Sequence, residues 1–309
     1  MAAETSKIGS IGIIGAGLMG CGIAEVCALA GFRTVLVKAT EGDPMTARAR
    51  VDRSLKVAID RGKVDASAAE AALGRLTVTS DKLEAARCDL VIEAIVEDLA
   101  TKRALFADLA PHLAPHAILA SNTSTLKIAD LAAGLRERRM IGLHFFSPVP
   151  AMSLVEVAHT GATDDDVVPA AEAFVAALGK TAVPVLDSTG FIVNRLLVPM
   201  LLNAIHAYEQ GLAPAAQIDS AMRLGCGHPV GPLALADLIG LDVVYAMAKL
   251  LYRDTRDACY RPPALLRSLV QQGALGKKSR LGLYDYASKP PRENAAVVEL
   301  IRGTARRAA

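Results

Sequence analysis

Residues 11 to 20 read Ile-Gly-Ile-Ile-Gly-Ala-Gly-Leu-Met-Gly, an apolar run that enters the pattern G-x-G-x-x-G and continues into a second apolar stretch. No other segment restricts the fold so strongly. The pattern calls for a strand, a tight turn and a helix in direct succession. Gly15 makes the turn, Gly17 lets the backbone approach a pyrophosphate, and Gly20 lets the helix lie close on the strand. Leu18 and Met19 open the helix. Its first N–H groups lack intrahelical partners, and its positive dipole end favours phosphate oxygens. A second apolar run at 34–37 follows at the spacing of the next strand. The expectation is a dinucleotide-binding unit with Gly15, Gly17, Leu18, Met19 and Gly20 on the cofactor.

Further apolar runs without polar alternation occupy 76–79, 89–96, 117–120 and 140–145. Such runs are strands buried on both faces. Amphipathic, alanine-containing stretches at 19–30, 47–61 and 99–113 read as helices between them. The alternation predicts an α/β fold, a Rossmann-like doubly wound and mostly parallel sheet. Two more runs, 154–157 and 182–186, enclose a helix near 170–178. Beyond Asp187 no strand signal follows, and 191–210, 215–224, 231–251 and 263–273 read as helices. The expected boundary is at 187: a Rossmann domain over 1–187 and an all-α helical domain over 188–309. The tail after Pro291 reads as a short helix or as disorder, with Arg302, Arg306 and Arg307 as a solvated end.

Charge and cysteine usage narrow the function class. Lys and Arg total 34 against 32 Asp and Glu, a net charge of +2. So even a balance gives no reason to expect nucleic acid or a membrane surface as partner. The cysteines are Cys21, Cys27, Cys88, Cys226 and Cys259, an odd number with no C-x-x-C pair. That argues against a disulfide framework or a metal site and for a reducing cytoplasm. The uncharged stretch 8–24 is too short and too rich in glycine for a membrane helix, and no cleavage pattern follows it.

The end of the second strand departs from the NAD pattern. An acid about 20 residues after the glycines ordinarily accepts the ribose 2′-hydroxyl. Here the strand reads Val35-Leu36-Val37-Lys38. Lys38 has no acceptor for a hydroxyl proton, but it can pair with the 2′-phosphate of NADP. Glu41 and Asp43 stand close enough in sequence to take the ribose instead, and a merely solvated Lys38 is the third reading. NAD and NADP both stay open on these residues.

A second constellation runs from His144-Phe145-Phe146-Ser147-Pro148-Val149-Pro150 to Leu154-Val155-Glu156. A strand ends at His144, a proline-containing turn follows, and the next strand carries Glu156. Reversal near Pro150 puts the two at equal distances from the turn, facing each other. A histidine beside a carboxylate is suited to moving a proton near neutral pH. The same pair also serves packing, and the residues alone admit both roles.

Together the stretches 11–31, 89–98, 120–125, 142–157 and 187–242 resemble the L-3-hydroxyacyl-CoA dehydrogenase family, in its bacterial 3-hydroxybutyryl-CoA form. The motifs H-F-F-x-P-V-P, D-S-x-G-F-I-V-N-R-L-L-V-P and G-H-P-x-G-P-L-x-L-A-D carry the resemblance, which spans 8–286. It implies that His144 is the base for the 3-hydroxyl proton and Glu156 its orienting partner. It implies that Ser124 and Asn194 lie near the substrate's reacting end and Asn122 beside the nicotinamide. Glu97 and Lys102 match the cofactor-contacting stretch. Ser54 with a basic residue, Arg61 or Lys63, matches the place for the nucleotide of coenzyme A, and equally reads as a solvated helix end.

The resemblance further implies NAD as cofactor, an active site in a cleft between the domains, and a homodimer through the helical, substrate-binding domain. The reaction would interconvert a short-chain (S)-3-hydroxyacyl thioester and its 3-oxoacyl form by hydride transfer. The carrier of the thioester is coenzyme A or, as an alternative, an acyl carrier protein of polyketide precursor synthesis, and a non-catalytic dinucleotide-binding member is the remaining alternative. Four positions depart from the family pattern: Lys38 for the acid, Ser147 for asparagine, Thr189 for proline and Arg280 for glycine.

Overall fold

The computed structural model describes the backbone of residues 8–308 and the side chains of residues 8–301. Arg302, Arg306 and Arg307 lie outside the described side chains. The chain divides after Phe191 into two compact units.

The first unit is built on β1 (Ser10–Ile14), β2 (Arg33–Val37), β3 (Leu76–Thr79), β4 (Leu90–Glu93), β5 (Ile118–Ser121), β6 (Met140–Phe145), β7 (Leu154–His159) and β8 (Thr181–Leu186). They form one sheet in the order β3-β2-β1-β4-β5-β6-β7-β8. Every neighbouring pair is parallel except β6 and β7. The lack of alternation in the sequence has a direct cause. Ile11, Ile13, Leu36, Leu90 and Ile92 enter one core, while Ile14, Val35, Val37 and Val91 enter another. Successive residues point to opposite faces, and both faces are covered.

The helices of this unit are α1 (Leu18–Leu29), α2 (Met45–Asp60), α3 (Ala66–Arg75), α4 (Lys82–Ala86), α5 (Leu99–Leu109), α6 (Ile128–Ala132) and α7 (Val167–Ala177). The strand order reverses between β1 and β4. In such sheets the carboxyl ends of the strands at that point open a crevice for ligands. The stretch 8–24, weighed above as a membrane segment, forms β1, the glycine turn and the first half of α1. No helix among the described residues is long and apolar enough to cross a membrane.

The second unit holds α8 (Val193–Glu209), α9 (Ala215–Cys226), α10 (Pro232–Ile239), α11 (Leu241–Thr255), α12 (Ala264–Gln271) and α13 (Ala295–Ala308). The single helix expected over 231–251 is two helices, broken at Gly240 with φ +106°. A small antiparallel pair, β9 (Tyr284–Asp285) and β10 (Arg292–Glu293), interrupts the all-helical pattern. The tail takes the helical alternative, as α13.

Close packing beneath the glycine turn depends on Gly12 in β1. A Cβ there would lie 2.5 Å from the Ala85 carbonyl oxygen and 2.8 Å from its Cα, both in α4. Gly12→Ala must push α4 off the sheet and should destabilise by about 1–3 kcal/mol. Urea unfolding checks this: an unchanged midpoint would mean that α4 yields freely.

Candidate active site

The three motif glycines divide into two kinds. Gly15 has φ +118°, and a Cβ on it would lie 2.4 Å from the Ala94 carbonyl oxygen. A Cβ on Gly20 would lie 1.7 Å from the Gly15 carbonyl oxygen. Both positions are glycine because the protein's own backbone occupies the space. Gly17 is different. Its φ of −73° and ψ of −167° suit any residue, and a Cβ there would meet nothing within 4 Å. The fold does not require a glycine at 17, and the space beside its Cα is open. Gly17 also precedes α1 with no side-chain cap on the helix, and Leu18 is 69% exposed at its start. Met19 is half-buried beside it. The Gly15 N–H donates to the Val37 carbonyl at 3.0 Å, tying the turn to the end of β2.

Across the crevice, the loops after β4 and β5 are joined by a polar network. Glu93 ends β4 and is fully buried. Its Oε1 accepts from the Lys102 Nζ and from the Ile95 N–H, each at 2.6 Å, and its Oε2 accepts from the Ser121 hydroxyl at 2.6 Å. Lys102 Nζ also lies 3.3 Å from Glu97 Oε2. Glu97 Oε1 accepts from the Thr123 hydroxyl at 2.7 Å and from the backbone N–H groups of Ser124 and Thr125 at 2.9 and 3.0 Å. The Ser124 hydroxyl donates to the same oxygen at 3.3 Å. Burial pushes the Glu97 carboxyl upward, but Lys102 and these hydrogen bonds hold it below the usual carboxylate range.

Asn122 joins three strand ends. Its N–H donates to the Glu93 carbonyl at 2.8 Å, and its Oδ1 accepts the Phe145 N–H at 2.9 Å. By spacing alone Asn122 would be an ordinary helix cap, yet α6 starts only at Ile128. Next to Phe145 stands His144. It lies opposite Glu156 in the antiparallel β6–β7 register, so reversal of the chain brings the two together as expected. Nδ1 lies 2.7 Å from Glu156 Oε2, with the residues 5% and 0% exposed. A carboxylate only accepts, so Nδ1 carries the hydrogen and Nε2 is left as the basic nitrogen. The imidazole ring centre lies 4.3 Å from that of Phe146 and 5.8 Å from that of Phe191.

Two family models cover this architecture. Residues 10–188 match the 3-hydroxyacyl-CoA dehydrogenase NAD binding domain, and residues 190–286 match the C-terminal domain of the same family. A 3-hydroxybutyryl-CoA dehydrogenase of Mycobacterium tuberculosis is 43% identical over 285 residues, covering 91% of this chain and 100% of the relative. One of Bradyrhizobium diazoefficiens is 43% identical over 292 residues, covering 94% of this chain and 99% of the relative. The crystal structure of (S)-3-hydroxybutyryl-CoA dehydrogenase from Ralstonia eutropha superposes with a TM-score of 0.87 at 40% identity, covering 91% of this chain and 100% of that one. The chain belongs to the 3-hydroxyacyl-CoA dehydrogenase family.

Within this dehydrogenase the remaining expected residues fall in different places. Lys102, matched to a cofactor contact, is only 1% exposed and is held between two carboxylates, so it acts on its surroundings through Glu97. Lys38 is not a loose solvated side chain. Its Nζ donates to the Thr40 carbonyl at 3.0 Å, to the Thr40 hydroxyl at 3.1 Å and to the Glu41 carbonyl. Asp43, weighed as a substitute for the ribose acid, instead accepts the Met45 N–H at 2.9 Å at the entry to α2.

Ser54 in α2 acts on Glu25 of α1, a buried carboxyl that burial pushes upward and the serine hydroxyl draws back down. Glu25 and Lys63 both line a cavity of about 560 Å³ that also includes Met152 and Lys180. Arg61 caps the carboxyl end of α2 and is exposed. Asn194, 8% exposed in the first turn of α8, belongs to the second unit and not to the unit of His144. Glu93, Ser121 and Thr123 were not singled out from the sequence. The signal available was an acid closing a buried strand, which needs partners to be tolerated.

The two kinds of glycine give a clean test. Gly17→Val should fold normally, because nothing crowds the position, and should lose dinucleotide binding. Calorimetric titration with NADH, beside a thermal melt, checks both halves. Unchanged affinity in a folded variant would detach Gly17 from the cofactor.

Proposed function

We propose that this dehydrogenase interconverts short-chain (S)-3-hydroxyacyl-CoA and 3-oxoacyl-CoA, with His144 as the general base. The observation that carries this reading is the buried His144–Glu156 pair near the carboxyl end of β6, in the same sheet whose β1 leads into the open glycine turn. When bound, NAD supplies the acceptor for the hydride leaving C3 of the substrate. His144 Nε2 takes the proton of the 3-hydroxyl as the C–O bond becomes a carbonyl. Glu156 keeps the hydrogen on Nδ1 and stabilises the imidazolium that forms. Phe146 and Phe191 keep water from the ring. Ser124, held by Glu97, and Asn194 orient the reacting end of the substrate. Asn122 would hold the nicotinamide, and Ser54 with Arg61 or Lys63 would hold the nucleotide of coenzyme A.

The proposal includes a homodimer through the second unit, supported by exposed Leu196, Leu212 and Leu224 there, at 68%, 77% and 87% exposure. A reducing cytoplasm fits the five free cysteines.

The test is turnover of 3-hydroxybutyryl-CoA, set beside the same acyl group on a carrier protein. His144→Ala should lower kcat by about 10²–10⁴-fold while NADH binding stays near normal. A variant that keeps more than half of the wild-type rate would remove His144 from the mechanism. Glu156→Gln preserves shape and removes the counter-charge, so turnover should slow by on the order of 100-fold with little loss of stability. Loss of stability without loss of rate would mean that the pair serves packing.

NAD is the dinucleotide of the family's N-terminal domain. Lys38 weakens discrimination against NADP, since an acid there would repel a 2′-phosphate and hold a ribose hydroxyl. Lys38→Asp should shift the ratio of kcat/KM values toward NAD by about tenfold, or roughly 1.4 kcal/mol. Steady-state kinetics with both cofactors reads the ratio, and no movement would return the choice to other groups.

A further inference from the structure

The turn between β1 and α1 carries a second cation that the family reading does not use. The exposed Arg50 of α2 donates from Nη1 to the Ala16 carbonyl at 3.2 Å, the carbonyl between the two turn glycines. The Cys21 thiol donates to the same oxygen at 3.3 Å. Arg50 is held in place by its helix. Ala47, Val51 and Leu55 bury the core face of α2 and leave residue 50 on its flank. Arg48, two residues earlier, serves a different end: its guanidinium donates to the Leu76 and Leu73 carbonyls at 2.8 and 3.1 Å.

The same turn is flanked by Lys38. Ile14 pairs with Val37 across β1 and β2, so Gly15 and Lys38 are the next residues at two adjacent strand ends. Adjacent strands lie about 4.8 Å apart. The ribose of a dinucleotide bound at such a turn is read at the end of the second strand, by an acid for a free hydroxyl or by a nearby arginine for a 2′-phosphate. Here the acid is absent, a lysine takes its place, and an arginine is anchored on the turn itself. The Ala16 bond uses one of the five N–H donors of a guanidinium, whose planar fork suits phosphate oxygens.

We infer that Arg50 is a specificity-determining residue whose guanidinium takes the 2′-phosphate of NADP. The inference rests on the reading of the glycine turn as the dinucleotide site, and it makes Lys38 the weaker of two cations. Lys38 already donates to three acceptors of its own loop, whereas Arg50 commits one N–H to the Ala16 carbonyl.

The smallest probe is adenosine 2′,5′-bisphosphate, compared with adenosine 5′-monophosphate by calorimetric titration of the full chain. The wild type should bind the bisphosphate at least about tenfold more tightly, the scale of one charge-assisted phosphate contact. Arg50→Gln should remove most of that ratio while affinity for the monophosphate stays within about twofold. Arg50→Gln should likewise weaken NADPH binding more than NADH binding. Arg50 is exposed, so the fold should hold, and a thermal melt checks it. Equal losses for both probes would place Arg50 on the 5′-phosphate and overturn the inference. Unchanged affinities would reduce it to a partner of the Ala16 carbonyl. A shift with Lys38→Asp but not with Arg50→Gln would overturn the Arg50 assignment while leaving the Lys38 reading intact. The reverse pattern would sustain Arg50 and remove Lys38.

Discussion

The Lys102 ammonium is buried between the carboxylates of Glu93 and Glu97, and two loops of the crevice depend on that one cation. Glu93 closes β4 in an apolar interior, where an unpaired charge would cost several kcal/mol. Lys102 enters from α5, nine residues later, and so fixes where that helix begins relative to the strand. The excess negative charge is drawn to Glu97, whose carboxylate is 35% exposed and gathers Thr123, Ser124 and Thr125 from the loop after β5. The position of Ser124 therefore follows from a buried ion pair that does not itself face the crevice. Removing either partner of such a pair leaves an uncompensated charge, typically at 3–5 kcal/mol. A neutral substitution at Lys102 thus disturbs the loop before it disturbs any ligand.

The reversal after β6 has an equally specific consequence. A parallel connection needs a crossover of a dozen or more residues. Here β7 returns directly and antiparallel, and residues 144 and 156 become cross-strand neighbours. Both side chains point to the same face, within reach of one another. β8 then resumes the parallel direction through α7. The sheet thus departs from a uniform parallel pattern at the one place where a histidine and a carboxylate must meet.

What was legible in the sequence follows from the range of the forces involved. The inner strands β1, β2, β4, β5 and β6 are runs of apolar residues because both faces are covered, and that pattern survives without knowledge of tertiary contacts. The glycine turn and the His144–Glu156 pair are local in sequence and were equally plain. The helices α4 and α6 span only five residues each, too few for a helical period to show. The break at Gly240 was missed because the apolar pattern runs across it. The Glu93–Lys102–Ser121 network links three elements over 28 residues and has no periodic signature. Arg50 and the Ala16 carbonyl are 34 residues apart, and only the fold shows which of several α2 arginines reaches the turn.

Arg280 shows how the second unit absorbs a departure from the family pattern. It stands in the left-handed region at φ +62°, where the resemblance has glycine. For a residue with a Cβ this costs roughly 1–2 kcal/mol. The surrounding turn is held at both ends: the Gly276 N–H donates to the Leu281 carbonyl at 2.8 Å, and the Tyr286 N–H donates to the Arg280 carbonyl at 3.0 Å. Beneath it lies Asp237, fully buried and accepting from the Leu283 and Tyr284 N–H groups at 2.9 Å and from the Tyr286 hydroxyl at 3.1 Å. Burial pushes the Asp237 carboxyl up to about 6 in spite of these donors. The turn cannot shift to relieve Arg280 without opening those bonds around a buried carboxyl. Strain of this kind persists where neighbouring contacts over-determine the backbone. The glycine of the family is therefore a local convenience at this position, whereas the glycines at 276 and 282 are required, since a Cβ on either would enter Asp237 at 2.3 and 2.2 Å.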